Sequence, residues 1–263
     1  MKKLVLLLFI VSFSIVASQN QKKTALKTAS IHVDGDQFLG YDFFGFYYTI
    51  KNNVFSKINT GDTLGYKNIS LGKISKVDLQ NPLKIVLFYE NFNTVIVLDN
   101  QLNEIQKINF SENIIPIVVT AIGIAAMNQL WIYNSMNQQL GLYDYLNKEY
   151  KTISIPFTDS IKNYSSDFNV FHWVDTKNNW YTCNIFGKIT TKGIIPDFDS
   201  IVIINESQFI YSKDAILTLY DLEKGKKTEI KISEKTFKKF YYKDQILSIF
   251  TSKGITNYKI TIP

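Results

Sequence analysis

Few residues in this chain can do chemistry, and they are scattered: two histidines, His32 and His172, and one cysteine, Cys183, in 263 residues. His32 lies in the apolar-rich run Thr28 to Val33 and His172 in Phe171-His172-Trp173, so each reads as a packed or hydrogen-bonded strand residue. Neither has a second His or Cys at ligand spacing, and no metal ligands are assigned. Asp34-Gly35-Asp36 has the spacing of a calcium-loop fragment, but too few oxygen ligands follow in register, and a tight turn is the reading. Cys183 sits among apolar neighbours between Trp180 and Phe186, the setting of a buried, inert thiol. Phosphate loops, nucleophile elbows and His-Glu-x-x-His are lacking, so no catalytic residue and no cofactor are assigned. Asp197 and Asp199 stand close, but beside Pro196 and Phe198 they are ordinary turn residues.

All 29 basic residues are lysine. Arginine is the usual tool for bidentate recognition of phosphate and base edges, so its absence argues against nucleic acid as a partner and against a phosphate-clamping enzyme. The lysines concentrate from Lys224 to Lys243, interrupted by Glu223, Glu229 and Glu234. Such a run fits a basic surface for an acidic partner or an edge strand guarded against sheet pairing. Aromatic rings at turns carry more information. Phe92 stands at the tip of Asn91-Phe92-Asn93, after Tyr89, and Phe186 precedes Gly187. Tyr89, Asn91, Phe92, Asn93 and Phe186 are therefore the partner-interface candidates, with packing between repeats as the alternative for the rings.

The elements that must position these residues are strands. From Gly72 to Phe110 four short runs rich in Val, Ile, Phe and Tyr (Ile74 to Leu79, Leu83 to Tyr89, Thr94 to Leu98, Glu104 to Phe110) are separated by Asn- and Pro-containing breaks. A four-stranded meander of about 40 residues is the size of a propeller blade. The same pattern recurs over Gln37 to Leu71, Asn113 to Phe157, Val170 to Ile195, Asp199 to Ile232 and Thr236 to Ile262. Aligned on the turn between second and third strands, the repeats meet at Asn52-Asn53, Asn91 to Asn93, Asn137-Gln138, Gly187, Lys213-Asp214 and Lys253-Gly254, a mean step of about 40. Three local expectations accompany this register: Ile114 to Val119 opens the third repeat, Thr120 to Met127 has room for a helical turn, and polar Thr158 to Phe168 is a loop before a three-stranded fourth repeat. The sixth repeat also offers three strands, and the orphan run Thr28 to Val33 supplies its fourth. The fold predicted is all-β, a single six-bladed β-propeller over 19–263 whose N- and C-terminal segments share the closing blade.

Lys2-Lys3, the apolar run Leu4 to Val16 and the small pair Ala17-Ser18 make 1–18 a signal peptide, too short an apolar run to span a bilayer. The expected location is periplasmic, with release outside the cell as the alternative, and no transmembrane segment remains after cleavage. The stretch Lys84-Ile85-Val86-Leu87-Phe88-Tyr89-Glu90-Asn91-Phe92-Asn93-Thr94, continued to Ile105, resembles exported flavobacterial (Bacteroidota) propeller-like proteins, in particular the periplasmic plug subunit of the type IX secretion translocon. That resemblance implies a non-enzymatic protein whose partner is an outer-membrane secretion channel or another periplasmic protein. The alternative is a hydrolase, lyase or carbohydrate-binding propeller built on scattered carboxylates in the central channel.

Overall fold

Side-chain turns decide where the strands stop. Asp99 Oδ1 accepts the N–H groups of Gln101 and Asn103, Asp175 Oδ1 those of Lys177 and Asn179, and Asn184 Oδ1 those of Phe186 and Lys188, at 2.8–3.0 Å. A short polar side chain that satisfies two backbone donors replaces the missing ladder bonds at a chain reversal. Between such turns, in a computed structural model that describes residues 21–112 and 117–262, the chain runs as 25 strands.

Strands β1 (Gln21–Thr24) and β2 (Leu26–Ile31) precede the first blade. Blade 1 is β3 to β6 (Gln37–Tyr41, Tyr47–Lys51, Val54–Ile58, Thr63–Tyr66). Blade 2 is β7 to β10 (Lys76–Asp78, Ile85–Tyr89, Thr94–Leu98, Glu104–Asn109). Blade 3 is β11 to β14 (Val119–Ala125, Gln129–Asn134, Gln139–Asp144, Glu149–Thr152). Blade 4 is β15 to β18 (Ile161–Ser166, Val170–Asp175, Asn179–Asn184, Ile189–Ile194). Blade 5 is β19 to β22 (Ser200–Ile203, Gln208–Lys213, Ile216–Asp221, Lys226–Lys231). Blade 6 is β23 to β25 (Lys239–Lys243, Ile246–Thr251, Gly254–Lys259) with β2 as its fourth, outermost strand.

Each blade is an antiparallel meander, and the first strands lie innermost: β7, β11 and β15, and again β19, β23 and β3, neighbour one another in series around a central axis. The predicted six-bladed ring with a shared closing blade is the observed one. β2 pairs antiparallel with β25 from Leu26 opposite Lys259 to Ile31 opposite Ile255. β1 adds a feature beyond that expectation. It pairs parallel with β22, Gln21 to Thr24 against Thr228 to Lys231, so the lysine-rich β22 is covered and is not a free edge. The buried apolar residues fall into six clusters, one at each seam between neighbouring blades.

Three local expectations are corrected. Thr120 to Met127 lies almost wholly in β11 and makes no helical turn; its small residues are required because inner strands crowd at the axis, where a Cβ on Gly123 would collide with Ser166 of β15. Thr158 to Phe168 is not a loop, because Ile161–Ser166 is the inner strand of blade 4, polar since it borders the channel. Blade 4 thus has four strands, and Gly187 lies in its third turn; the turn equivalent to Asn52-Asn53 is 176–178. The opening residues Ile114 to Pro116 and the signal segment 1–18 lie outside the described residues.

A meander places the turns after second strands, together with the connections between blades, on one face of the ring, here the connector face. Two asparagines lock that face. Asn93 (φ 48°) accepts from Val119 N–H at 2.9 Å and donates to Ile117 C=O at 2.6 Å; Asn53 (φ 61°) accepts from Ile74 N–H at 2.9 Å and donates to Gly72 C=O. Each amide mimics a strand pair with the connection to the next blade. Asn tolerates the left-handed backbone better than other non-glycine residues. Asn93→Ala is expected to lower stability by about 1–3 kcal/mol, the cost of stranding two backbone groups. Asn91→Ala, at an exposed neighbour, is expected to change it by less than about 0.5 kcal/mol. Urea unfolding of the two variants checks both.

Candidate functional site

Equivalent positions can be compared because every blade has the same register. Counting back from the second turn, the residues aimed at the next blade from the middle of the second and third strands are cross-strand pairs. They are Tyr48 with Lys57, Val86 with Val97, Trp131 with Leu142, His172 with Thr182, Ile210 with Leu219, and Ser248 with Asn257. In blades 2, 3 and 5 the pair is apolar and joins the apolar cluster of the seam, although a cavity of about 250 Å³ remains beside Val86 and Val97. In blade 1 the buried Lys57 ammonium donates to Asn100 C=O of blade 2 at 2.9 Å. Blades 4 and 6 break the rule with polar pairs.

Those two seams are incompletely packed. Between blades 4 and 5 a cleft of about 600 Å³ is bordered by Ser165, His172, Thr182 and Thr190, one from each strand of blade 4 in a single cross-strand row. Between blades 6 and 1 a smaller cavity of about 240 Å³ is bordered by Tyr41, Tyr241, Ser248 and Asn257. Four buried polar atoms at these seams, His172 Nδ1, Trp180 Nε1, Ser248 Oγ and Asn257 Oδ1, have no partner within the protein. A buried group left unpaired costs about 1–3 kcal/mol, a cost that a water or ligand hydrogen-bonded there would remove.

The electrostatics of the larger cleft are balanced. Lys192 pairs with Glu206 at 2.9 Å, and Asp167 Oδ2 lies 4.0 Å from His172 Nε2. Lys188 also borders the cleft, so two cations face two carboxylates. Burial lowers the His172 pKa below the ordinary imidazole value of 6.5, and Lys192 adds to that, against the opposing pull of Asp167 and Glu206. The imidazole is therefore neutral near pH 7, with a tautomeric proton to give or an acceptor to offer.

The central channel carries a second polar group. Asp78 of β7 accepts from Gln80 N–H at 2.9 Å and Ile124 N–H at 2.8 Å, and burial raises its pKa. Lys76 lies 4.7 Å from the Tyr164 ring, and burial, then Lys239, lowers its pKa. Both Asp78 oxygens are held by backbone donors, which suits an anchor between blades 2 and 3 better than an acid–base catalyst. Among the described residues no three His, Cys, Asp or Glu side chains are grouped to hold a metal ion.

The interface candidates separate in space. Tyr89 is fully buried between blades 1 and 2, so it is core and cannot present its ring to a partner. Asn93 is the lock described above, and Asn91 is exposed. Phe92 is 49% exposed in a 3-10 turn, Glu90–Phe92, with one ring edge against the backbone of Gly72. Phe186 is 85% exposed, but it belongs to a third-strand turn on the face opposite Phe92. The sequence did not single out Phe92's neighbours. Ile69, Val118, Met136 and Ile155 are exposed on the loops beside it, and those loops are hydrogen-bonded in series: Asn53 to Gly72, Asn93 to Ile117, Ser135 to Val118 and Phe157 to Gln138. Cys183 is buried as expected, its thiol pushed up to about 11 by burial. Asp197 bridges Lys162 at 3.0 Å and Lys213 at 2.8 Å, joining blades 4 and 5.

No family model and no curated protein sequence matches this chain. Among solved structures it is similar to virginiamycin B lyase from Staphylococcus aureus, with a TM-score of 0.56 and 12% identity over 85% of this chain and 80% of that one. It is also similar to a streptogramin B lyase, with a TM-score of 0.54 and 11% identity over 88% and 96%. A computationally designed protein matches with a TM-score of 0.52 and 9% identity over 91% and 100%. Identities this low show the propeller fold alone.

His172 gives a pH test. Its folded pKa is depressed, so the unfolded chain takes up the proton first; the contribution of the neutral ring is present above about pH 6.5 and is lost as pH falls through the unfolded and then the folded value. Stability of the native chain is expected to fall more steeply below pH 6.5 than that of His172→Leu, as read from urea midpoints across pH 5 to 8.

Proposed function

We propose that this chain is an exported, non-enzymatic protein-interaction propeller, acting in the periplasm as an accessory or plug subunit of an outer-membrane protein-secretion channel of the type IX kind. The observation that carries the reading is the arc of exposed apolar side chains, Ile69, Phe92, Val118, Met136 and Ile155, along the connector face of blades 1 to 3. Water-exposed apolar surface gathered on one face marks a docking site, and an aromatic ring at its centre is the usual anchor. Blades 5 and 6 carry the lysine run on their side of the ring, so the docking face has a direction. The likeness of Lys84 to Ile105 to exported flavobacterial propeller-like proteins supplies the partner class, and Phe92 lies inside that stretch. A ring of disulfide-free blades is rigid without a covalent clamp, which suits a part that must fill an opening.

Phe92→Asp combined with Met136→Asp is expected to cost less than about 1 kcal/mol in stability, since both side chains are largely solvated. The same pair is expected to cut recovery of the protein with outer-membrane complexes, after mild cross-linking of cells, by about thirtyfold, as loss of an interface anchor does. Undiminished recovery would remove the proposed docking face. Loss on Phe43→Asp with Phe44→Asp instead would move docking to the opposite face, where that ring pair, 4.0 Å apart, is exposed.

A further inference from the structure

At four of the six seams the mid-height pair is apolar or is a buried lysine with a carbonyl partner. At the seam between blades 4 and 5 the corresponding pair is an imidazole and a hydroxyl. The substitution at these two positions is not compensated by polar groups across the seam. His172 Nδ1 and Trp180 Nε1 stay unpaired although both are buried; His172 borders the cleft, and its ring lies 6.2 Å from that of Trp180 in the apolar cluster of the same seam. The volume, about 600 Å³, falls within the range that small-molecule sites occupy, roughly 300–1,000 Å³. The mouth opens between loops 167–169 and 204–207, on the face opposite Phe92.

The lining selects its ligand by charge and by hydrogen-bonding type. Lys188 and Lys192 are matched by Asp167 and Glu206, so neither an anion nor a cation would find a net counter-charge. Ser165, Thr182 and Thr190 each offer a hydroxyl that both donates and accepts, and they stand in one line with the neutral imidazole, spaced as neighbouring strands are, about 5 Å. We infer that the cleft between blades 4 and 5 is a binding site for a neutral, hydroxyl-rich ligand of mono- to disaccharide size, gripped by the Ser165, His172, Thr182, Thr190 row. The row runs outward from Ser165, on the inner strand beside the channel, to Thr190 on the outer strand, and the cleft lies away from the connector face, so it stands independently of the docking role.

The chain has only two imidazoles, which makes a direct test available. The full-length mature protein, labelled with ¹⁵N-histidine, is titrated with glucose, galactose, N-acetylglucosamine, maltose and cellobiose, and separately with glucuronate and inorganic phosphate. At least one neutral saccharide is expected to shift the ring nitrogens of His172 saturably and leave those of His32 in place. Thr182→Val, which keeps the volume and removes one hydroxyl, is expected to weaken that binding at least tenfold. The double change H172W/T182L copies the Trp131 and Leu142 pair of blade 3; it is expected to fill the cleft, abolish saccharide binding by calorimetry and leave the protein folded. The inference is overturned if no neutral saccharide moves His172 in the folded protein, if Thr182→Val binds as well as the native chain, or if only glucuronate or phosphate binds. If H172W/T182L does not fold, Thr182→Val alone decides.

Discussion

A propeller blade cannot bury both of its faces by itself, so the structure depends on six seams that must each be packed by two different sheets. The cross-strand pair at mid-height of each blade governs that packing. Where the pair is Val86 with Val97 or Trp131 with Leu142, the seam holds a large apolar cluster. Where it is Ser248 with Asn257, the cluster shrinks to Val33, Phe38, Phe250 and Ile255 among fully buried residues. The two seams with polar pairs are separated by the cluster between blades 5 and 6 that includes Ile210, Leu219, Leu247 and Tyr258.

Hydrogen bonds between blades compensate for part of what the weak seams lose. Tyr41 hydroxyl accepts from Asn257 at 3.1 Å across the seam between blades 6 and 1, and Asp197 ties Lys162 to Lys213 beside the seam between blades 4 and 5. Exposed ion pairs of the second kind are screened by solvent and contribute little each, so their role is alignment more than strength. The two faces of the ring then differ in kind. The connector face is locked by Asn53 and Asn93 and carries the apolar arc, whereas the opposite face holds the mouth of the polar cleft.

Most of the fold was legible because its punctuation is local. Asn, Asp and Gly at turns, with apolar runs between them, give the strand ends and the 40-residue period, and an orphan strand before a three-stranded last repeat gives the closure. The errors in strand assignment have one cause: strands beside the axis are selected for small or polar side chains, not for the alternation that marks a half-buried strand. Thr120 to Met127 showed no strand alternation and left room for a helical turn, and Thr158 to Phe168 looked like a loop because it is polar. The misplaced register at Gly187 followed from missing that inner strand. Tyr89 was read as a surface residue because it borders a turn, yet the turn begins one residue later and its ring points back into the seam. The cleft itself was within reach of the sequence: aligning the repeats by their second turns places His172 and Thr182 beside Trp131 and Leu142. That alignment needed the correct turn in blade 4, which the structure supplied.

The closure has a mechanical consequence. The strands nearest the N-terminus hold two blades at once, β1 running parallel to β22 in blade 5 and β2 antiparallel to β25 in blade 6. A pull on the chain ahead of β1 would load the first pairing in one direction and the second in the other, so the two would give way in sequence, one as a sheared strip and the next as a peeled one. Once β2 is gone, the last blade is left with three strands and the thin seam between blades 6 and 1 becomes the place where the ring parts. The tether and the fault line are thus neighbours, and a tug at one end of the polypeptide would be felt first as a gap in the circle.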